Sequence, residues 1–152
     1  LARRPDYLEA FNNRGEALQQ LKRHEEALAS YDRALEAYKD AVTNDYRLGE
    51  AYYRMGLILQ NKHRFEDAEA QYKEALKDYQ EAARVAPLNF LNTQGIGDAF
   101  FALKDFNGAL NAYTKSLDLE PISVEDLYLK RAKVYDALGK PDLAKKDREK
   151  AK

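Results

Sequence analysis

The sequence has no cysteine at all, which excludes disulfides, thiolate zinc sites and cysteine nucleophiles and leaves the redox compartment unmarked. It also lacks an excess of either charge: 25 Lys and Arg stand against 26 Asp and Glu, for a net charge of -1 and a pI near 6.2. That balance removes the strongest electrostatic argument for nucleic acid or an anionic membrane as the main partner. No apolar run approaches the roughly 18 residues of a membrane span, and no signal-peptide pattern opens the chain, so a soluble, by default cytoplasmic, protein is expected. Because it opens on Leu1 rather than Met, the chain is expected to be an expressed fragment, a processed product or the ordered part of something longer. What is present suffices for a core: 45% of the 152 residues are apolar and 34% charged, which is globular rather than disordered composition.

The small residues reveal a repeat. Gly15, Gly56 and Gly97 recur at one constant interval, and Ala132 follows Gly97 after a somewhat shorter one. Twelve residues after each comes an alanine, namely Ala27, Ala68, Ala109 and Ala144, and seven further on a second small residue, Ala34, Ala75, Ser116 and Ala151. Between the two lies Tyr31, Tyr72 or Tyr113, and Arg148 in the last copy. Apolar residues fall at helical spacing on both sides of short polar links such as 60–64 and 103–105, so each unit reads as two antiparallel amphipathic helices. A glycine inside a helix costs about 1 kcal/mol relative to alanine, so three at one frame position call for close helix approach.

These residues resemble the tetratricopeptide repeat family, whose pattern is an aromatic, Leu-Gly and Tyr in helix A, then Ala, Phe or Tyr, Ala and Pro in helix B. The first unit supplies Phe11, Gly15, Leu18, Ala27, Tyr31 and Ala34; the second Tyr52, Met55, Gly56, Leu59, Ala68, Tyr72 and Ala75. The third supplies Ile96, Gly97, Phe100, Ala109, Tyr113 and Pro121, with Thr93 in place of the aromatic, and the fourth Tyr128, Ala132, Tyr135, Leu138, Gly139 and Ala144. The resemblance implies an all-α, right-handed superhelical solenoid of antiparallel helix-turn-helix hairpins, one domain over 1–152. Its units fall at about 8–48, 49–89, 90–124 and 125–152, with 1–7 similar to the tail of a preceding repeat. Against the family's period of about 34 residues, each glycine-to-glycine interval carries seven extra, which read as a duplicated heptad. Tyr31-Ala34-Leu35 is followed by Tyr38-Ala41-Val42, and Tyr72-Ala75-Leu76 by Tyr79-Ala82-Ala83. The second helix is expected to lengthen and to stop before Pro87.

No catalytic, metal or cofactor constellation emerges. His24 and His63 lie in inter-helix turns without ligand spacing, and Gly95-Ile96-Gly97 has no preceding strand to make a phosphate cradle. The chain is therefore read as a non-enzymatic scaffold without cofactors. In the family the A helices line a concave groove that takes peptides or partner proteins. The matching positions are Asn12, Asn13 and Glu16, then Tyr53, Arg54 and Leu57, then Gln94, Asp98 and Phe101, and finally Lys130 and Lys133. Amides and charges there can hold a peptide backbone or carboxylate, and Tyr53, Leu57 and Phe101 offer apolar area, although packing on the neighbouring repeat competes for them. The carboxylate clamp of the family's chaperone-tail binders is absent, since the corresponding places hold Asn12, Glu16, Arg54, Leu91 and Gly95. The tail from Lys130 to Lys152 holds nine Lys or Arg against four Asp or Glu, first of all a solvated helix and, as the alternative, a site for an acidic peptide or nucleic acid involving Lys145, Lys146 and Lys150. A second reading is an engineered or assembly-forming array without a natural ligand, its long B helices acting as junctions and its open ends associating with further copies.

Overall fold

The computed structural model describes residues 5–39, 46–119, 121 and 123–152, with side chains from residue 9 on and not at 38–39. The described residues form eight α-helices and no strand: α1 (Pro5–Gln20), α2 (His24–Lys39), α3 (Tyr46–Asn61), α4 (Phe65–Val85), α5 (Phe90–Ala102), α6 (Phe106–Asp118), α7 (Glu125–Ala137) and α8 (Pro141–Lys150). This is an all-α helical repeat fold. None of these helices is long and apolar enough to cross a membrane. The chain falls into two compact units, Leu1–Asp78 and Tyr79–Lys152, divided within α4.

Four odd-numbered helices each turn back into the next helix through the same short link. In every link one residue adopts a left-handed backbone: Lys22 (φ 58°), His63 (φ 59°), Lys104 (φ 62°) and Gly139 (φ 69°). The following amide then reaches back five residues to a helix carbonyl, as Arg23 N to Leu18 O, Arg64 N to Leu59 O and Asp105 N to Phe100 O, each 2.9 Å, and Lys140 N to Tyr135 O at 2.8 Å. This Schellman geometry satisfies a carbonyl that the helix end would otherwise orphan. Only the last link uses glycine, the residue that adopts this conformation without steric penalty. The other three accept a penalty of roughly 1–2 kcal/mol each to keep the same turn.

The spacing of small residues is a packing rule. Ala27, Ala109 and Ala144 are wholly buried and Ala68 nearly so, as are Ala34, Ala75 and Ser116 at the second small position. A Cβ added to Gly15 would stand 2.6 Å from Tyr31 Cε1, and one added to Gly56 or Gly97 would stand 2.5 Å from Cε1 of Tyr72 or Tyr113. Each tyrosine ring thus lies against the bare backbone of the preceding helix, which explains both the glycine and the aromatic that follows it at a fixed offset. In the first unit Tyr31 joins Leu18, Leu35, Ala51, Met55 and Ile58 in one core; in the second, Tyr113 packs with Ala109, Leu127 and Val134. The fourth copy departs in both partners, with Ala132 for the glycine and Arg148 for the tyrosine.

The expected heptad extension is present in α4, whose 21 residues exceed the 13 of α6 and end before Pro87. Tyr79 and Ala82, the repeated heptad's aromatic and small residue, are buried. Tyr79 covers Gly95, where an added Cβ would run into its ring. The corresponding heptad after α2, with Ala41 and Val42, lies outside the described residues.

Candidate functional site

The sequence-derived groove residues lie on α1, α3, α5 and α7, and in each unit the fold assembles two of them into an ion-paired cluster. In the first unit Arg54 of α3 contacts Glu50 one turn earlier at 2.8 Å and Glu16 of α1 at 3.3 Å. In the second, Lys130 of α7 contacts Asp98 of α5 at 2.9 Å and Asp126 one turn earlier at 3.3 Å. The two clusters are built alike. A cation two places before the frame's small residue is held by a carboxylate on its own helix and by another, one place after the small residue of the preceding A helix. The core tyrosine closes each cluster. The Arg54 guanidinium engages the Tyr31 hydroxyl, and Tyr113 donates to Asp98 Oδ1 at 2.6 Å.

Burial shapes the protonation of these groups. Asp98 is held above the ordinary carboxylate range because its site is largely dehydrated, an effect opposed by Lys130 and by the Tyr113 hydrogen bond. Tyr31 is pushed up to about 12 by burial, against the pull of Arg54, and Tyr72 to about 12 by burial alone. Both hydroxyls therefore stay protonated and donate: Tyr31 to Gln19 Oε1 at 3.3 Å and Tyr72 to Gln60 Oε1 at 2.7 Å. Gln19 and Gln60 occupy the same frame position, and at that position in the fourth copy Asp136 pairs with Arg148. A contact joining the A and B helices thus recurs with changed chemistry. The sequence reading missed it; the only trace was a polar residue twelve places before Tyr31, Tyr72 and Arg148, whereas Phe101 stands at that place before Tyr113.

The remaining groove residues divide by environment. Asn13 and Lys133 are exposed, whereas Asn12, Tyr53, Leu57, Gln94 and Phe101 are half-buried. Asn12 donates from Nδ2 to the Arg47 carbonyl at 3.4 Å, and its buried Oδ1 has no partner among the described residues. The Tyr53 ring lies 5.6 Å from that of Tyr72, and Phe101 meets Phe106 edge-on at 5.5 Å while packing on the Tyr113 core. Tyr53 and Phe101 therefore contribute to packing within their units as well as to the helix-A surface. His63 stacks edge-on against Phe65, and among the described residues no three His, Asp or Glu side chains gather as a metal site would require.

Comparison with known proteins agrees with this architecture. Family models of the tetratricopeptide repeat match residues 6–81 and 94–123. No curated protein matches the chain. Among solved structures it resembles a thermophilic TPR protein of Thermus thermophilus (TM-score 0.69, 20% identity, covering 95% of this chain and 72% of that one). It also resembles BtubC from P. vanneervenii (TM-score 0.66, 16% identity, 95% and 61% covered) and MamA from Desulfovibrio magneticus RS-1, residues 41 to the end (TM-score 0.60, 20% identity, 95% and 73% covered). At these identities the likeness concerns the fold alone. With the glycine–tyrosine packing, the recurrent turn and a family match over half its length, the chain belongs to the tetratricopeptide repeat family.

Proposed function

We propose that the chain, a protein-interaction scaffold by family, holds a peptide or partner protein on the outward faces of its A helices. These are α1 with α3 in the first unit and α5 with α7 in the second, within four repeat units at about 8–48, 49–89, 90–124 and 125–152. The observation that carries this reading is the matched pair of clusters around Arg54 and Lys130. Each fixes charged groups on an A-helix face in advance of any ligand, which lowers the entropic cost of binding. Each cation already has two carboxylates, so handing it to a ligand's terminal carboxylate would leave acids unpaired, in Asp98's case a largely buried one. Within each unit a ligand is better served by other side chains: the exposed amide of Asn13 and the half-buried Asn12 in the first, the exposed Lys133 and the half-buried Gln94 in the second. No catalytic step is assigned to these groups.

A peptide library probed with the full chain tests the assignment. Asn13→Ala with Lys133→Ala is expected to weaken the bound peptides without altering the melting transition, because both side chains are exposed. Arg54→Ala with Lys130→Ala should lower stability and weaken them through loosened A-helix faces rather than through a lost ligand contact. Binding of every captured peptide unchanged in both double variants sinks the proposal.

A further inference from the structure

The packing frame shows what the B helices offer at three fixed places, which in α4 are mixed: Glu69, Tyr72 and Leu76. Counting from the frame alanine, the residues one, four and eight places on are Leu28, Tyr31 and Leu35 in α2, packed with the α3 residues Ala51, Met55 and Ile58. In α6 they are Leu110, Tyr113 and Leu117, packed with Leu127 and Val134 of α7. In α8 and just beyond it the same three places hold Lys145, Arg148 and Lys152, all exposed. The face that receives an apolar helix in α2 and α6 is cationic in α8. Covering it with another apolar helix would strip water from Lys145 and Lys152, which have no acid partner among the described residues, a prohibitive cost.

We infer that this face of α8 is a docking surface for an acidic segment of a partner protein. The acids nearby neutralise it only in part: Asp136 pairs with Arg148, while Asp147 is committed to Arg131 in a buried two-pronged pair at 2.6 and 2.8 Å. Lys145 and Lys152 carry no partner among those residues, and Lys146 and Lys150 are exposed along the flank, Lys150 with its ammonium 5.5 Å from the Tyr128 ring centre. Only Asp142 and Glu149 on α8 remain to oppose them. The contrast with the rest of the chain is strong, because a protein of net charge -1 concentrates nine cations against four acids between Lys130 and Lys152. Spaced carboxylates fit this pattern better than a nucleic acid: Asp142 and Glu149 interrupt the cations and repel a continuous run of phosphates, and α8 carries no aromatic ring for base stacking. The surface is separate from the A-helix faces and does not depend on them.

Fluorescence anisotropy with a labelled oligoglutamate peptide and the full chain tests it, beside a labelled single-stranded oligonucleotide. Binding of the peptide is expected to weaken as salt is raised and to fall by about tenfold or more in Lys145→Glu with Lys152→Glu, with helicity and melting unchanged. Lys22→Glu with Lys104→Glu makes the same charge change at two exposed turns and is expected to leave binding nearly intact. The inference is overturned if the peptide does not bind, if the turn variants weaken it equally, or if the oligonucleotide binds as tightly as the peptide. Lys145→Gln with Lys152→Gln repeats the test without charge reversal and should give a smaller loss in the same direction.

Discussion

A single methyl group at Gly97 tests the packing rule on which the fold rests. In an open helix Gly→Ala gains about 1 kcal/mol. At Gly97 the new Cβ would stand 2.5 Å from Tyr113 Cε1 and 2.6 Å from Cδ1, far inside the ~3.5–4.0 Å of a favourable carbon contact. The ring has no room to retreat. It is 2% exposed, its hydroxyl is fixed on Asp98 at 2.6 Å, and Asp98 is fixed in turn by Lys130 at 2.9 Å. Overpacking of about 1–3 kcal/mol and loss of a charged hydrogen bond of about 1.5–3 kcal/mol oppose the propensity gain, so Gly97→Ala should lose about 2–4 kcal/mol. Urea unfolding, monitored by circular dichroism, measures it; the melting temperature should fall by roughly 5–15 °C. Removing the ring supplies the decisive comparison, because in a Tyr113→Ala background the added methyl has space. The double variant should be more stable than the sum of the singles by at least about 1 kcal/mol. A stabilised Gly97→Ala, or strict additivity with Tyr113→Ala, refutes the reasoning.

The remaining predictions concern buried charge. Asp147→Ala leaves the Arg131 guanidinium, 13% exposed, without its carboxylate and should cost about 3–5 kcal/mol, seen as lost hydrogen-exchange protection along α8; Arg131→Met with Asp147→Leu should recover much of it. Asp78, half-buried in α4 beside Glu74, has its carboxyl pushed up to about 6 by burial and, less, by the Glu74 charge. An acid with a raised folded-state pKa favours folding while protonated, so its contribution is present below the ordinary carboxylate range and lost as the pH rises through about 6. Asp78→Asn should therefore melt higher than the parent at neutral pH, by the equivalent of about 1 kcal/mol after allowance for solvent screening, with the gap closing toward pH ~4; thermal melts across that range decide it.

Much of the architecture was legible in the sequence because it is carried by short-range spacing. The helical periodicity, the polar links and the interval from glycine to alanine to tyrosine each lie within one hairpin. Two residues meeting at a fixed offset leave a pattern that repeats wherever the hairpin repeats. The Tyr79 heptad was legible as a duplication, but its use was not, since the bare backbone it covers at Gly95 belongs to the next helix. Gly95 read as part of an unpromising Gly-Ile-Gly fragment and as a clamp position without a side chain. Glu16, Arg54, Asp98 and Lys130 were all legible as polar A-helix positions, but their pairing was not, since each acid lies a whole hairpin before its cation in the chain. No local pattern specifies such a pairing.

The sequence by itself determined the family, the helical hairpins and the lengthened α4, because backbone periodicity and steric fit between small and aromatic residues are properties of the chain's order. Only the tertiary structure decided which charges are spent and which are available. It closed Arg54 and Lys130 inside carboxylate clusters, set Arg131 against Asp147, and left the α8 face cationic where those of α2 and α6 are apolar. The physical reason is that a charge's role depends on what approaches it within a few ångströms across helices and on how much water is excluded there. Neither quantity is written in the spacing of residues along one helix.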